Sequence, residues 1–201
     1  MKVYKVFLQK MNLLIWNNES VIERAKMDNV IKQLKQFKTD AIYEKKKHYN
    51  AADRKRKYCK WISFAQIILN TITGTTLFAG LIEQGSIAAE LVALLFAIMA
   101  AILASVQKIF DFENQAQGNQ KAADMYLGIS KKINLILNFI KDGVLSNQEI
   151  VEKTEEVRNE LSRANEIGSQ FSTSQNDYKK AQIGIKSGEE SYTDEELNLW
   201  E

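Results

Sequence analysis

Proline is absent from this chain of 201 residues, and glycine occurs only nine times. Proline breaks or kinks a helix and glycine weakens one, so few residues here would interrupt a long helix. The alternation of apolar and polar residues that is typical of strands is missing as well. The sequence therefore predicts an all-α fold.

Cysteine and histidine each occur once, as Cys59 and His48. A single cysteine excludes an intrachain disulfide and a cysteine-based zinc site. Cys59 lies eleven positions after His48, roughly 16 Å along a continuous helix, which is too far for a nucleophile and its base. Neither an HExxH motif nor a glycine-rich phosphate loop is present. We expect no enzyme activity, no metal site and no cofactor.

Charge is missing from two long stretches in the middle of the chain. The first, from Trp61 to Ile82, has no charged residue across 22 positions; as a helix it measures roughly 33 Å, enough to cross a bilayer core of about 30 Å. The second is uncharged from Leu91 to Gln107 and extends upstream to Ile87 across a single carboxylate. Because only four residues separate the two stretches, we predict an antiparallel transmembrane hairpin with spans of about 61–82 and 87–107.

A soluble helical bundle is the alternative interpretation of these two runs. Such a bundle would have to bury both runs in its core. The flanking segments provide too little amphipathic surface to cover them, so the sequence favours the membrane hairpin.

Positive charge collects immediately before the first uncharged run. Residues 142–201 hold 6 Lys or Arg and 14 Asp or Glu, a net charge of −8, which leaves +10 for residues 1–141 because the whole chain carries +2. The turn between the runs has no lysine or arginine, so the positive-inside rule places both termini in the cytoplasm. Basic side chains at this position also suit anionic lipid headgroups. The predicted cytoplasmic basic anchor consists of Arg54, Lys55, Arg56, Lys57 and Lys60.

Nucleic-acid binding is the competing interpretation of this basic cluster. No nucleic-acid-binding motif accompanies it, and it lies where a membrane anchor requires positive charge. We therefore expect the lipid bilayer, and no nucleic acid, as its partner.

The first span carries a stripe of polar residues at helical spacing, namely Ser63, Gln66, Asn70 and Thr73. Polar groups in hydrocarbon are costly unless they meet a partner, another helix or water. The stripe either holds helices together through hydrogen bonds or lines a water-filled pore. The sequence leaves both interpretations open.

Small residues mark candidate helix-packing positions in both spans. They are Gly74 in the first span and Ala93, Ala97, Ala100 and Ala104 in the second. Small side chains let helix backbones approach closely. The alanine face packs either on the first span or on another copy of the chain.

Two helices alone cannot enclose a channel, so any conduction by this chain requires a homo-oligomer. In such an assembly Glu90 from each copy would form an acidic ring at the outer mouth, which favours cations. Taken alone, Glu90 is also explained as an interfacial carboxylate in contact with water.

The flanks of the hairpin are patterned as helices. Residues 1–42 form an N-terminal segment, without the features of a signal peptide, that leads into a long helix from about Ser20 to Lys60, with a break near Asp28 as one option. Beyond the second span, an isoleucine stripe from Ile129 to Ile140 predicts a helix that ends near Gly143.

The C-terminal part, residues 141–188, begins with a helix-start signal. Ser146 and Glu149 form a capping box, and an apolar stripe from Ile150 to Ala164 follows. The stretch 170–188 is weakly patterned. Residues 189–201 form an acidic tail that we expect to be mobile and that is a candidate for docking on the basic cluster.

Two segments resemble a known family. The first reads Lys47-His48-Tyr49-Asn50-Ala51-Ala52-Asp53-Arg54, followed by Lys57-Tyr58 and by Trp61, which opens a span containing Gly74. The second reads Phe112-x3-Ala116-x2-Asn119-x2-Ala122-Ala123-x2-Tyr126. Together with the order of basic helix, hairpin and continuing helix, they resemble the SLATT family, the SMODS and SLOG-associating two-transmembrane effector domains of bacteria. The resemblance covers roughly residues 43–140.

This resemblance implies a bacterial inner-membrane effector in conflict systems, including anti-phage defence. Family members are associated with nucleotide second-messenger synthases or nucleotide sensors encoded nearby. They are proposed to form pores or otherwise damage the membrane on activation, which stops growth before phage spreads. A non-conducting, membrane-anchored adaptor that recruits a partner through its cytoplasmic helices is the alternative function.

Overall fold

The structure is a computed structural model that describes the backbone of residues 2–82 and 87–192 and the side chains of residues 25–80 and 87–192. Within these ranges the chain is all-α, as predicted. The five helices are α1 (Lys2–Ile82), α2 (Ile87–Phe110), α3 (Phe112–Lys141), α4 (Asn147–Ser169) and α5 (Gln175–Lys186).

α1 is longer and more regular than the sequence pattern requires. It runs without interruption through Asp28 and continues directly into the first predicted span, so the optional break is not present. The turn between the spans, including Glu83, lies outside the described residues. So does the tail from residue 193 onward, and its predicted mobility is therefore untested.

Two compact units make up the chain, and neither is a continuous stretch of sequence. The first unit combines Met1–Lys45 with Asp124–Glu166, and the second combines Lys46–Ala123 with Ile167–Glu201.

The first unit packs segments of three helices around an apolar core. The isoleucine stripe of α3 is buried at Ile129, Ile133 and Ile136, as its spacing predicts. The core also contains Leu34, Ala41, Tyr126, Ile150, Val157, Leu161 and Ala164. At its edge, the Tyr126 hydroxyl donates a hydrogen bond to Asn165 Oδ1 at 2.8 Å, and burial together with the charge of Glu44 raises the pKa of Tyr126 to about 12.

Local backbone chemistry ends α3 and starts α4 where the sequence predicts. Gly143 has a φ of +68°, a left-handed conformation that glycine adopts without a Cβ clash. The Gly143 N–H donates to the Ile140 carbonyl at 3.1 Å and the Val144 N–H to the Phe139 carbonyl at 3.0 Å, the pattern of a Schellman cap. Three residues on, Ser146 and Glu149 exchange the two hydrogen bonds of a capping box.

The second unit contains the hairpin. At one end, Gln107 of α2 donates to Ser63 Oγ at 3.5 Å. At the other end, Thr76 and Gly80 of α1 line a cavity together with Ala89 of α2. Since residues near the start of one span meet residues near the end of the other, the two helices are antiparallel.

The surface of the hairpin is apolar where a soluble protein would be polar. Each of the two helices contains one most apolar stretch. The buried share of that stretch is 0% in the first helix and 6% in the second, so neither is the core helix of a soluble bundle. Large side chains point outward along both spans, among them Trp61, Phe64, Ile67, Phe78, Leu91, Leu95, Ile98 and Ile102. An exposed apolar surface of this extent requires lipid. The protein is an all-α membrane protein with a two-span hairpin.

α5 is an element that the sequence pattern does not predict, since residues 170–188 lack a clear apolar stripe. Its start is nevertheless encoded locally. The Ser174 side chain accepts a hydrogen bond from the Asp177 N–H, and the Asp177 carboxylate accepts one from the Ser174 N–H. This is a capping box with aspartate in place of the usual glutamate.

The packing of α4 gives a matched pair of substitutions. Val157 is fully buried, whereas Val151 on the same helix is 45% exposed. We expect Val157→Ala to destabilise the protein by about 2 kcal/mol, because it removes buried methyl groups and leaves a cavity, and Val151→Ala to change the stability by less than about 0.5 kcal/mol. Thermal unfolding of the purified protein in detergent, followed by circular dichroism, measures both. Equal effects of the two substitutions would contradict this packing.

Candidate functional site

The four residues of the polar stripe do not share one environment. Ser63, Gln66 and Thr73 are half-buried, whereas Asn70 is exposed. Ser63 accepts the hydrogen bond from Gln107 of α2, so this end of the stripe contacts the second span. Asn70 lies on the surface of the hairpin, in the middle of the first span.

The threonine hydroxyls of the first span and the Ser105 hydroxyl of the second donate to carbonyls of their own helices. Thr71 donates to the Ile67 carbonyl at 2.8 Å, Thr73 to Leu69 at 2.8 Å, and Ser105 to Ala101 at 2.9 Å. A hydroxyl bonded in this way needs no partner from outside. In the part of the chain that the structure describes, no group hydrogen-bonds to the Asn70 amide, which is therefore an exposed polar group of the first span that lacks an internal partner.

The small residues also fall into two groups. Ala93 is 2% exposed and Ala100 is 9% exposed, so these two lie inside the hairpin. Ala97 and Ala104 are exposed. Gly74 is exposed too, and a Cβ placed there would meet nothing within 4 Å. Within a single copy, Ala97, Ala104 and Gly74 are therefore not buried in a helix contact, and their predicted packing role stays a prediction.

Glu90 lies in the first turn of α2 and is exposed. Together with Thr76, Gly80 and Ala89 it lines a cavity at the turn end of the hairpin. This places its carboxylate at one end of the spans, as the sequence predicts. Its role in an acidic ring stays a prediction.

Outside the spans, residues 46–60 of α1 and 112–123 of α3 form a helical base. Small side chains lie between these two helices. The residues Ala51, Ala52, Ala116, Ala122 and Ala123 are at most 1% exposed. All five belong to the two segments that carry the family resemblance. Alanine at these positions lets the two helix backbones approach closely.

A buried polar pair lies within this base. His48 Nδ1 is 2.8 Å from Asn119 Oδ1, and the two residues are 3% and 0% exposed. The Asn119 Nδ2 group donates to the Gln115 carbonyl at 2.8 Å, which turns the amide oxygen toward the imidazole. His48 therefore donates from Nδ1. His48 is thus a structural histidine of the base.

The C-terminal strap, which we define as residues 171–190, is fastened to the base by a buried ion pair. Arg54 Nε and Nη2 lie 3.1 Å and 2.9 Å from the two carboxylate oxygens of Asp177, and the Asp177 side chain is 2% exposed. Burial alone would raise the pKa of Asp177, but hydrogen bonds from Arg54 and Ser174 outweigh it and hold that pKa below its usual value. Asn50 adds a hydrogen bond to the Asp177 carbonyl at 3.0 Å.

Lys55 joins the strap to both helices of the base. Its ammonium group, in a residue that is only 4% exposed, donates to Gln115 Oε1 and to the Ser172 carbonyl, each at 2.8 Å. Burial and the neighbouring charge of Arg54 lower the pKa of Lys55. The ammonium group thus connects α1, α3 and the residues that precede α5.

Two further contacts hold the ends of the strap. A Cβ at Gly118 of α3 would overlap the ring of Phe171, so the ring lies directly on the glycine backbone. At the other end, Lys46 pairs with Glu189 and lies 3.9 Å from Glu190. Of the acidic tail predicted over residues 189–201, the structure shows Glu189 and Glu190 beside Lys46; the residues from 193 onward are not described, so docking of the tail as a whole stays a prediction.

The predicted basic anchor divides into two groups. Arg54 and Lys55 bind the strap, and Arg56 hydrogen-bonds to Gln120. Lys57 and Lys60 are exposed, and their contact with headgroups stays a prediction. Charge counting along the sequence does not distinguish a lysine that is buried by its own protein from one that is exposed.

These features define the class of protein: a membrane protein with two antiparallel spans and a helical base outside the bilayer. The model of the SMODS and SLOG-associating 2TM effector domain family 4 matches residues 30–196, and the chain belongs to this family. The match extends past both ends of the 43–140 segment that carries the resemblance, and it includes the strap. No curated protein and no solved structure matches the chain significantly.

The Arg54–Asp177 pair gives the protein a predictable response to pH. Folding lowers the pKa of Asp177, so the pair stabilises the protein above the ordinary carboxyl pKa of about 4, and this contribution is lost as the pH falls through the folded-state value. At pH 7 we expect Asp177→Asn to cost about 2 kcal/mol or more, because it leaves the Arg54 charge without its partner. As the pH falls below the ordinary carboxyl pKa and through the lower folded-state pKa of Asp177, the difference from wild type should shrink, because protonation removes the same charge from the wild-type side chain.

Thermal unfolding of both proteins in detergent across about pH 7 to 3 measures this effect. Asp53→Asn is the matched control, because the Asp53 side chain is 70% exposed and should make little difference at any pH. A gap between Asp177→Asn and wild type that stays constant across this whole range would contradict the assigned ion pair.

Proposed function

We propose that this membrane effector assembles from several copies of its hairpin and permeabilises the bacterial inner membrane during anti-phage defence. The observation that carries the proposal is the exposed Asn70 amide in the middle of a span. The family, a group of two-transmembrane effector domains, supports the conflict-system setting. A nucleotide second-messenger synthase or sensor encoded nearby is the proposed partner that triggers it.

An unpaired amide in hydrocarbon favours association with another copy. Burying an amide without a hydrogen bond costs several kcal/mol, and a hydrogen bond between transmembrane helices contributes about 0.6 to 2 kcal/mol. Gly74 lies four residues from Asn70, and therefore close to the same side of the helix. Its bare backbone would let a neighbouring helix come near the amide. Exposed Ala97 and Ala104 offer a similar surface on α2.

A ring of hairpins would also provide a polar passage. Asn70, with Gln66 beside it, would line the passage at mid-depth, and Glu90 would contribute one carboxylate per copy at the mouth. Acidic rings favour cations, so we propose a cation-permeable pore. Lys57 and Lys60 would lie among anionic headgroups on the cytoplasmic side, with both termini in the cytoplasm.

The alternative, a non-conducting adaptor, makes different use of the helices outside the membrane. Such an adaptor would recruit its partner through its cytoplasmic helices, whose apolar stripes contain Ile133, Ile136 and Val157. The structure buries all three in the core of the first unit, so substitutions there disturb the fold and do not report on recruitment. The adaptor is instead tested through the spans.

Membrane potential in bacteria during induced expression tests the proposed pore. When the genomic neighbours are co-expressed and supply the trigger, we expect wild type to depolarise the cells. Asn70→Leu, at matched membrane expression, should depolarise them at least about tenfold less, because the isosteric leucine removes the amide from the passage. Thr71→Val is the matched control: Thr71 is also exposed, but its hydroxyl bonds its own helix, so this variant should depolarise cells like wild type.

Two results would contradict the proposed pore. Depolarisation by Asn70→Leu equal to that by wild type would show that the amide has no part in it. Absence of depolarisation by all three proteins, when each is present in the membrane together with its genomic neighbours, would favour the adaptor.

A further inference from the structure

The strap is bound to both helices that lead into the two spans. Residues 46–60 of α1 lead into the first span without interruption. Residues 112–123 of α3 follow the second span directly after Asp111. We propose that the strap is an autoinhibitory clasp: while it is docked it holds the two base helices together and keeps the hairpin in a non-conducting arrangement, and its release permits permeabilisation. This inference rests on the proposed function.

The strap binds the base through directional, largely buried polar contacts. The bidentate Arg54–Asp177 pair is directional and buried on the strap side, and Lys55 reaches Gln115 and Ser172 at the same time. A lysine that is 4% exposed is tolerated because the strap supplies an acceptor for it. If the strap leaves, water must replace its acceptors at Arg54 and Lys55. The base is therefore shaped for a bound strap.

The helices that the strap contacts are connected to both spans. α1 has no break between Arg54 and Ile82, so a rotation or tilt of α1 at the strap is carried into the span. On the other side, Asp111 separates α2 from α3 with a φ of +41°, a conformation that L-residues rarely adopt. The two helices are therefore separate elements that meet at this residue, although hydrogen bonds from the Asp111 N–H to the Gln107 carbonyl and from the Gln115 N–H to the Asp111 carbonyl, each 3.0 Å, link them across it. Lys55 and Phe171 contact α3 in its first two turns, close to that junction, and so fix its direction.

The strap fits closely against α3 at Gly118. Only a residue without a Cβ leaves room for the Phe171 ring, so a single methyl group at this position must displace the ring through which the strap contacts α3. Gly128 lies on the same helix, and a Cβ placed there would meet nothing within 4 Å. The two glycines therefore differ in strap contact while sharing the same helix.

The experiment uses full-length protein reconstituted into vesicles of phosphatidylethanolamine and phosphatidylglycerol, with potassium efflux as the readout. Gly118→Ala and Gly128→Ala are compared with wild type, since both add a methyl group to α3 and both favour the helix. We expect efflux to rise at least about tenfold for Gly118→Ala and to stay within about twofold of wild type for Gly128→Ala, because only the first methyl group meets the strap. Trypsin cleavage at Lys179 and Lys180 reports independently whether the strap is released.

A charge exchange provides a second test that does not depend on one variant folding well. Arg54→Asp and Asp177→Arg should each release the strap and raise efflux, because each places like charges together. The double variant restores opposite charges, and we expect it to return both efflux and trypsin sensitivity toward wild type. Rescue of this kind cannot arise from general misfolding.

Each outcome is decisive. Strap release with raised efflux supports the clasp. If wild type already releases potassium and a variant with a released strap shows the same efflux, the clasp is wrong. The proposed pore is then unaffected. No efflux from any protein, including variants whose strap is cleaved freely, overturns the pore and the clasp together. Unchanged trypsin sensitivity in both single charge variants and in Gly118→Ala shows that these contacts do not hold the strap, which also overturns the clasp.

Discussion

The continuity of α1 is the physical constraint on which the structure depends. A helix that enters the bilayer must satisfy every backbone hydrogen bond internally, and α1 does so without a proline or a break over Lys2–Ile82. The same helix supplies Arg54 and Lys55 outside the membrane and the polar stripe within it. Contacts that α1 makes in the base therefore act on the same helix that continues into the bilayer.

Polar groups in and near the membrane are handled in three different ways. Threonine hydroxyls in the span bond to their own helix, and Arg54 and Lys55 of the base bond to the strap. Asn70 has neither arrangement in the part of the chain that the structure describes. Asn70 is also exposed on the surface of the hairpin, where a second copy of the chain could satisfy its amide, which is why the proposed assembly centres on it.

Much of the fold could be predicted from the sequence, because the relevant signals are local. Absence of charge marks the spans, isoleucine spacing marks the buried face of α3, and Gly143 and Ser146 mark helix ends. α5 could have been found as well, since Ser174 and Asp177 form a capping box, but its apolar stripe is weak. The pairing of Asp177 with Arg54 could not, because 123 positions separate them and no local rule specifies the partner of a charge.

The candidate site was harder to predict for a geometrical reason. Helical spacing groups Asn70 with Gln66, and Ala97 with Ala93, but it does not say how far each helix is rotated toward its neighbour. A modest rotation separates the half-buried Gln66 from the exposed Asn70. Likewise, counting lysines cannot show that Lys55 is buried by a strap that lies far along the chain.

Single-channel recording from purified full-length protein in a planar lipid bilayer tests directly whether the protein forms a pore. An oligomeric pore with a polar lining and an acidic mouth predicts discrete, repeated conductance steps and a reversal potential, under a potassium chloride gradient, that indicates cation selectivity. Absence of conductance steps from a bilayer that contains the protein with its strap released would contradict the proposed pore.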